Sequence, residues 1–280
     1  MDLVDPERLA KARQEVQQAE GTILIIGTAA DYIAKSDILI LADMTIWEIQ
    51  MRYRHEHLPN FHTDNANEDI IRKFKRGYFI DWRIGNVHKQ SLYDHFDFYL
   101  DTVKHNDPRM IDRDAFDDGL TQLLQQPFRT VPFFDEGLWG GQWMKEVCDL
   151  DREKSNFAWS FDGVPEENSL YLEFADAVVE IPAMDLVLYQ PKPLLGDQVY
   201  ARFGAEFPIR FDFLDTMGGQ NLSLQVHPLT EYIKKQFGMQ YTQDESYYML
   251  DAGEGACVYL GLKDGVDQEQ MIEDLRRANK

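Results

Sequence analysis

Short apolar runs alternate with amphipathic stretches through the first 125 residues of the chain. Pro6 to Ala19 has helical spacing and mixed charge. Thr22 to Ile26 is a compact apolar run ending at Gly27, a pattern that predicts a strand buried on both faces. Ile38 to Leu41 repeats it and is closed by Ala42 and Asp43. Helices are predicted over 44–57 and 67–83, with Asn67 as cap of the second and Asp69 favourable in its first turn. Phe96 to Leu100 supplies a third strand. Apolar strands separated by helical segments predict an α/β region with a parallel sheet over residues 1–125.

The pattern changes near Pro127. Aromatics, Gly and Pro become frequent, and β-type runs follow closely at Ser169 to Phe174, Ala177 to Ile181, Phe207 to Leu214, Leu222 to Val226, Ser246 to Leu250 and Ala256 to Leu260. Turn sequences such as Met217-Gly218-Gly219-Gln220 and Ala252-Gly253-Glu254-Gly255 separate several of them. Many short strands predict a sandwich, jelly roll or barrel over residues 126–280, closed by a helix from Asp267 to Asn279. The expected fold class is thus multi-domain, α/β followed by β.

Composition narrows the function classes. A net charge of −21 removes the basic face that a nucleic-acid partner requires, while a few local cations or backbone amides still suffice for a phosphorylated small molecule. No apolar run approaches the roughly 18 residues that cross a bilayer, and Met1 to Glu20 is charged rather than an apolar export signal. Cys148 and Cys257 suggest no disulfide framework or thiolate metal cluster, so the cytoplasm is the expected compartment.

The sharpest chemistry lies in Leu222-Ser223-Leu224-Gln225-Val226-His227-Pro228. On a strand, Gln225 and His227 share a face, bringing an amide oxygen and an imidazole nitrogen together as ligands for a divalent cation. Glu245 opens the next β-type run, where a hairpin-like return brings its carboxylate to the same place. Imidazole plus carboxylate suits Zn²⁺, Mn²⁺ or Fe²⁺. A Gln-x-His pair on a strand also fits an ordinary surface or a satisfied buried polar pair. His55, His57 and His62 read as ordinary polar positions, because i and i+2 on a helix point apart.

Leu222 to Pro228 resembles the Leu-Ser-x-Gln-x-His-Pro signature of type I mannose-6-phosphate isomerases, zinc enzymes of the cupin class. The resemblance runs in order through Leu138-Trp139-Gly140-Gly141, Ala158-Trp159-Ser160, Phe207-Pro208 with Phe213-Leu214-Asp215, Glu245 to Leu250 (a Glu-x-Trp-Tyr-x-Leu strand in the family), and Val258 to Val266. It implies an incomplete cupin jelly roll, interconversion of mannose 6-phosphate and fructose 6-phosphate by proton movement between C2 and C1, and one Zn²⁺ held by Gln225, His227 and Glu245. The family's fourth ligand, a later histidine, is expected beyond residue 280, which implies a C-terminally truncated chain with weak or absent turnover by itself.

The family has Lys where this chain has Asp212 and Gln243, and Asp212 repels phosphate. The candidate phosphate contacts are Arg210 and Lys234, although Glu231 to Phe237 reads more simply as a solvated helical turn. The general base is not identifiable from the sequence. Asp37 to Asp43, Arg52, Arg54, Arg72, Lys73, Lys75 and Arg76 resemble the later portion of nucleoside and uridine kinases, yet no Gly-x-x-x-x-Gly-Lys-Ser/Thr loop occurs, and the basic run reads as a solvated helix face. The alternative to an isomerase is a non-catalytic cupin-like protein that binds a sugar phosphate. A phosphotransferase is disfavoured by the missing phosphate loop.

Overall fold

A computed structural model describes residues 4–175, 177–219, 221–222 and 225–278. The fold is mixed α/β with small sheets. Helix α1 spans Pro6–Gln18, with the Asp5 carboxylate accepting the Glu7 and Arg8 amides and Pro6 at the first position. The run at Thr22 to Ile26 forms no strand. Leu24 and Ile26 are exposed, and no neighbouring strand pairs with them.

Strand β1 (Ile40–Asp43) lies two residues later than the apolar run suggests, because the Asp97 carboxylate accepts the Leu39 amide at its entrance. Helix α2 (Ile46–His55) is capped by the Thr45 hydroxyl. The predicted 67–83 helix is instead α3 (Ile70–Arg76), a π turn at Gly77–Asp81, and α4 (Trp82–Leu92), capped by Asp69 rather than Asn67. The Trp82 ring lies so close to Gly77 that an added Cβ would meet Cε2 at 2.7 Å, so the turn requires glycine there. Lys73 is not solvated. Its ammonium donates to the Ala66 carbonyl at 3.2 Å and stands over the Tyr53 ring.

Strand β2 (Phe98–Asp101) pairs parallel to β1, and β3 (Arg109–Asp112) pairs antiparallel to β2, giving a mixed sheet. Helix α5 (Arg113–Leu123) follows, capped by the Asp112 carboxylate. Beyond it come β4 (Phe133–Asp135), α6 (Trp143–Val147), β5 (Trp159–Gly163), the antiparallel hairpin β6 (Ser169–Phe174) and β7 (Ala177–Pro182), α7 (Ala183–Tyr189), α8 (Pro191–Phe203), β8 (Phe211–Leu214), α9 (Thr230–Phe237) and α10 (Gln268–Ala278). The sheet β4-β5-β8 is antiparallel, with an irregularity between Phe161 and Gly163.

One core draws on both sides of residue 125. Leu41, Phe96, Tyr99, Phe116 and Leu120 meet Leu170, Ile181 and Leu186. Phe116 is its centre, with the rings of Tyr99 at 4.9 Å, Phe96 at 5.4 Å and Tyr189 at 5.5 Å. The Lys89 ammonium is buried here between Asp43 and Asp185. Trp47 stacks on Phe133 at 4.0 Å, and Arg54 forms a two-pronged pair with Asp135 at 2.9 and 3.0 Å. These contacts fix α2 against the second sheet.

Among the described residues, no sheet closes into a barrel and no helix is long and apolar enough to cross a membrane. Beyond residue 125, three predicted strands are not seen among the described residues. In Leu222 to Val226, Ser223 and Leu224 lie outside the described residues, and the other positions belong to no strand. Ser246 to Leu250 and Ala256 to Leu260 are irregular, with Tyr248 88% and Leu260 96% exposed. A β-type run gains little without a neighbouring strand and a face to bury, and neither is provided here.

Candidate metal centre

Asp215, immediately after β8, is buried and forms a hub. Its amide donates to the Ala158 carbonyl at 2.9 Å, and its own carbonyl accepts the Gly141 amide at 3.0 Å. Its carboxylate accepts the Met144 amide at 3.2 Å and the Met217 amide at 3.3 Å. Residues 139–141, 158–160 and 213–215, separate in sequence, therefore meet at one residue. A Cβ on Gly141 would lie 1.9 Å from Asp215 Oδ1. We expect Gly141→Ala to destabilise the fold by about 1–3 kcal/mol through this overlap, read as a lower urea midpoint. A wild-type midpoint would contradict the hub.

Strand β8 runs from this hub back to Asp212, and three further segments gather beside it. Arg210 and Tyr241 share the Phe207 carbonyl, at 2.8 and 3.2 Å. The Thr242 hydroxyl donates to the Pro228 carbonyl at 2.6 Å, clasping 241–245 against 225–228. Gln225, His227 and Glu245 converge as a result. His227 Nε2 stands 3.2 Å from Glu245 Oε2 and 3.5 Å from Gln225 Oε1. The side chains of His227 and Glu245 are about one-third exposed, at 29% and 31%. This face is open to a small molecule.

The tautomer follows from the surroundings. Nδ1 lies 2.9 Å from the Gln243 carbonyl oxygen, which can only accept, so Nδ1 carries a proton. Nε2 then faces two more acceptors, an amide oxygen and a carboxylate. An imidazole nitrogen, an amide oxygen and a carboxylate gathered at one point make a donor set suited to a divalent cation. Donors around a tetrahedral zinc at about 2.0–2.1 Å stand about 3.3–3.4 Å apart, close to the two separations found. The three groups fit Zn²⁺ as ligands. Among the described residues, no group of three or more His, Cys, Asp or Glu side chains could hold a metal ion; the set gathered here is one imidazole, one carboxylate and one amide.

A model of the family "Domain of unknown function (DUF8485)" matches residues 1–125. That segment ends just past α5 and does not include Gln225, His227 or Glu245. No curated protein and no solved structure matches the chain.

The charged groups around the centre are mostly acidic. Burial, then the charge of Glu245, pushes the Asp212 carboxyl above the usual range. The Tyr247 hydroxyl donates to Glu245 Oε1 at 2.7 Å, and that bond, with burial, raises its pKa to about 12. Arg210 is committed: it pairs closely with Glu166 and donates to Phe207 and to the Tyr241 hydroxyl. Lys234 lies on the exposed side of α9. Two arginines of the first half are also engaged, Arg52 by Glu48 and the Thr102 and Val103 carbonyls, and Arg54 by Asp135.

Two contributors escape sequence reasoning. The Gln243 carbonyl is backbone, and no side-chain pattern announces it. Tyr247 follows Glu245 at period two, the same spacing that pairs Gln225 with His227, and that regularity is its signal.

Proposed function

We propose that the centre at Gln225, His227 and Glu245 binds Zn²⁺ and serves an aldose–ketose isomerisation of the mannose 6-phosphate to fructose 6-phosphate type, on an incomplete cupin scaffold acting in the cytoplasm. The observation that carries this reading is the meeting of three acceptors at His227 Nε2, with separations of 3.2 and 3.5 Å and the opposite ring nitrogen held by a carbonyl. The ordered run of motifs from Trp139 to Glu245 supports it, because the segments at 139–141, 158–160 and 213–215 meet at Asp215.

Bound there, a divalent ion supplies a Lewis acid that polarises sugar oxygens and steadies the charge left as a proton leaves carbon. The chain's own residues do the rest. Gln225, His227 and Glu245 bind, and Gln243 orients the imidazole. Asp212, whose carboxyl burial and the charge of Glu245 push above the usual range, is the group we assign to carry a proton near Glu245.

A second reading has its own support. Arg210 is spent on Glu166, and Asp212 and Gln243 stand where the resembled family has lysines, which together favour a protein that holds metal and sugar without turning it over. Metal analysis of the purified chain, with a coupled assay for fructose 6-phosphate formation, separates the two. The isomerase reading expects one zinc per chain and turnover above a zinc-free control. Zinc without turnover leaves the binding protein. A chain that takes up no zinc overturns both.

A further inference from the structure

The two oxygens of Glu245 have different partners. Oε2 faces His227 Nε2 at 3.2 Å, whereas Oε1 receives the Tyr247 hydroxyl at 2.7 Å. We propose that Tyr247 is the positioning residue of the metal centre, tying down Glu245 Oε1 so that Oε2 alone is presented to the cation. The inference rests on reading Gln225, His227 and Glu245 as a metal centre, and it adds a residue that stands where the resembled motif has Trp.

A glutamate that is one-third exposed has three rotatable bonds and can meet a metal through one oxygen or both. Nothing in its own backbone selects among these arrangements, since it sits in no helix or strand. The phenol does select. Tyr247 lies two residues on in an irregular segment, and its hydroxyl reaches back to the oxygen turned away from His227. Each of the two ligands then has one outer partner: the Gln243 carbonyl for the imidazole and the Tyr247 hydroxyl for the carboxylate. Such partners fix ligand direction and hold the donor set in place before the metal arrives. The hydroxyl is a neutral donor, so it orients the carboxylate without cancelling its charge.

The test uses the full chain, with Zn²⁺ and Co²⁺ affinities measured by competition against a chromophoric chelator. Tyr247→Phe removes one oxygen from a ring that is 50% exposed, so folding is not at issue. It is expected to weaken both metals about 10–100-fold. It should also change the intensity of the visible Co²⁺ bands, as the released carboxylate shifts toward two-oxygen binding and a higher coordination number. Tyr248→Phe, at a neighbour 88% exposed, should leave both readings at wild type. Wild-type affinity and spectrum in Tyr247→Phe would overturn the positioning role while leaving the metal centre standing. An equal loss in Tyr248→Phe would do the same. Failure of the wild-type chain to bind either metal would remove the centre itself, and this inference with it.

Discussion

Replacing Lys89 with methionine is expected to lower the unfolding free energy by about 3–5 kcal/mol. The ammonium, carried by α4, lies 2.5 Å from Asp43 at the end of β1 and 2.6 Å from Asp185 in α7. Asp185 has no exposed surface, and its oxygens also accept the Tyr93 and Tyr99 hydroxyls at 3.1 Å each. Methionine keeps the apolar stem but removes the ammonium that Asp43 and Asp185 share, so that Asp185 is left buried beside Asp43 with no counter-charge and favours its protonated form. The phenols solvate Asp185 without neutralising it. Urea unfolding at neutral pH reads the loss, and one below about 1 kcal/mol would mean that the cluster is worth no more than an exposed pair.

The same cluster gives stability a pH dependence of defined sign. Burial, opposed by Lys89 and reinforced by Asp43, pushes the Asp185 carboxyl up to about 7. Between the ordinary carboxylate range and that value the folded chain holds a proton that the unfolded chain has released. Stability attributable to this group therefore falls as pH rises through the window and levels off above it. Asp185→Asn keeps the hydrogen-bonding shape and should flatten that slope. Burial works against the Lys89 charge, but Asp185 and Asp43 outweigh it and raise its pKa. Its contribution is complete below the ordinary lysine range and lost only in strong alkali.

This centre also shows what the sequence conceals. The segment at 1–125 carries β1, β2 and α4, yet the carboxylate that answers Lys89 comes from α7, and the apolar floor comes from β6 and β7. Nothing local in Val87-His88-Lys89 marks its lysine as buried, just as nothing in Arg72-Lys73-Phe74 marks Lys73. Burial of a long charged side chain is decided by partners distant in sequence. Helix α1 and the β6–β7 hairpin were legible because caps, periodicity and a turn act within a few residues. Strands fared worse where pairing was needed. Thr22 to Ile26 and Ser246 to Leu250 have suitable composition and no neighbour, so they remain irregular. The convergence of Gln225, His227 and Glu245 was legible from the motif, but its mechanism was not. Period-two strand geometry predicted it, whereas the structure achieves it through loop contacts of Thr242 with Pro228 and of His227 with Gln243.

Replacing His227 with alanine should weaken zinc by more than about 100-fold, beyond what loss of an outer-shell partner produces. Nε2 is the donor nearest to both others, so its removal leaves an amide and a carboxylate, two hard oxygens better suited to Mg²⁺ or Ca²⁺ than to zinc. Selectivity should therefore collapse along with affinity, and calorimetric titration with Zn²⁺ and Mg²⁺ reads both. Stability of the metal-free chain should change by no more than about 1 kcal/mol, because the pair being broken is one-third exposed. A variant that unfolds would mean that His227 serves the fold. Undiminished zinc binding in a folded variant would mean that the cation, if one binds, sits elsewhere.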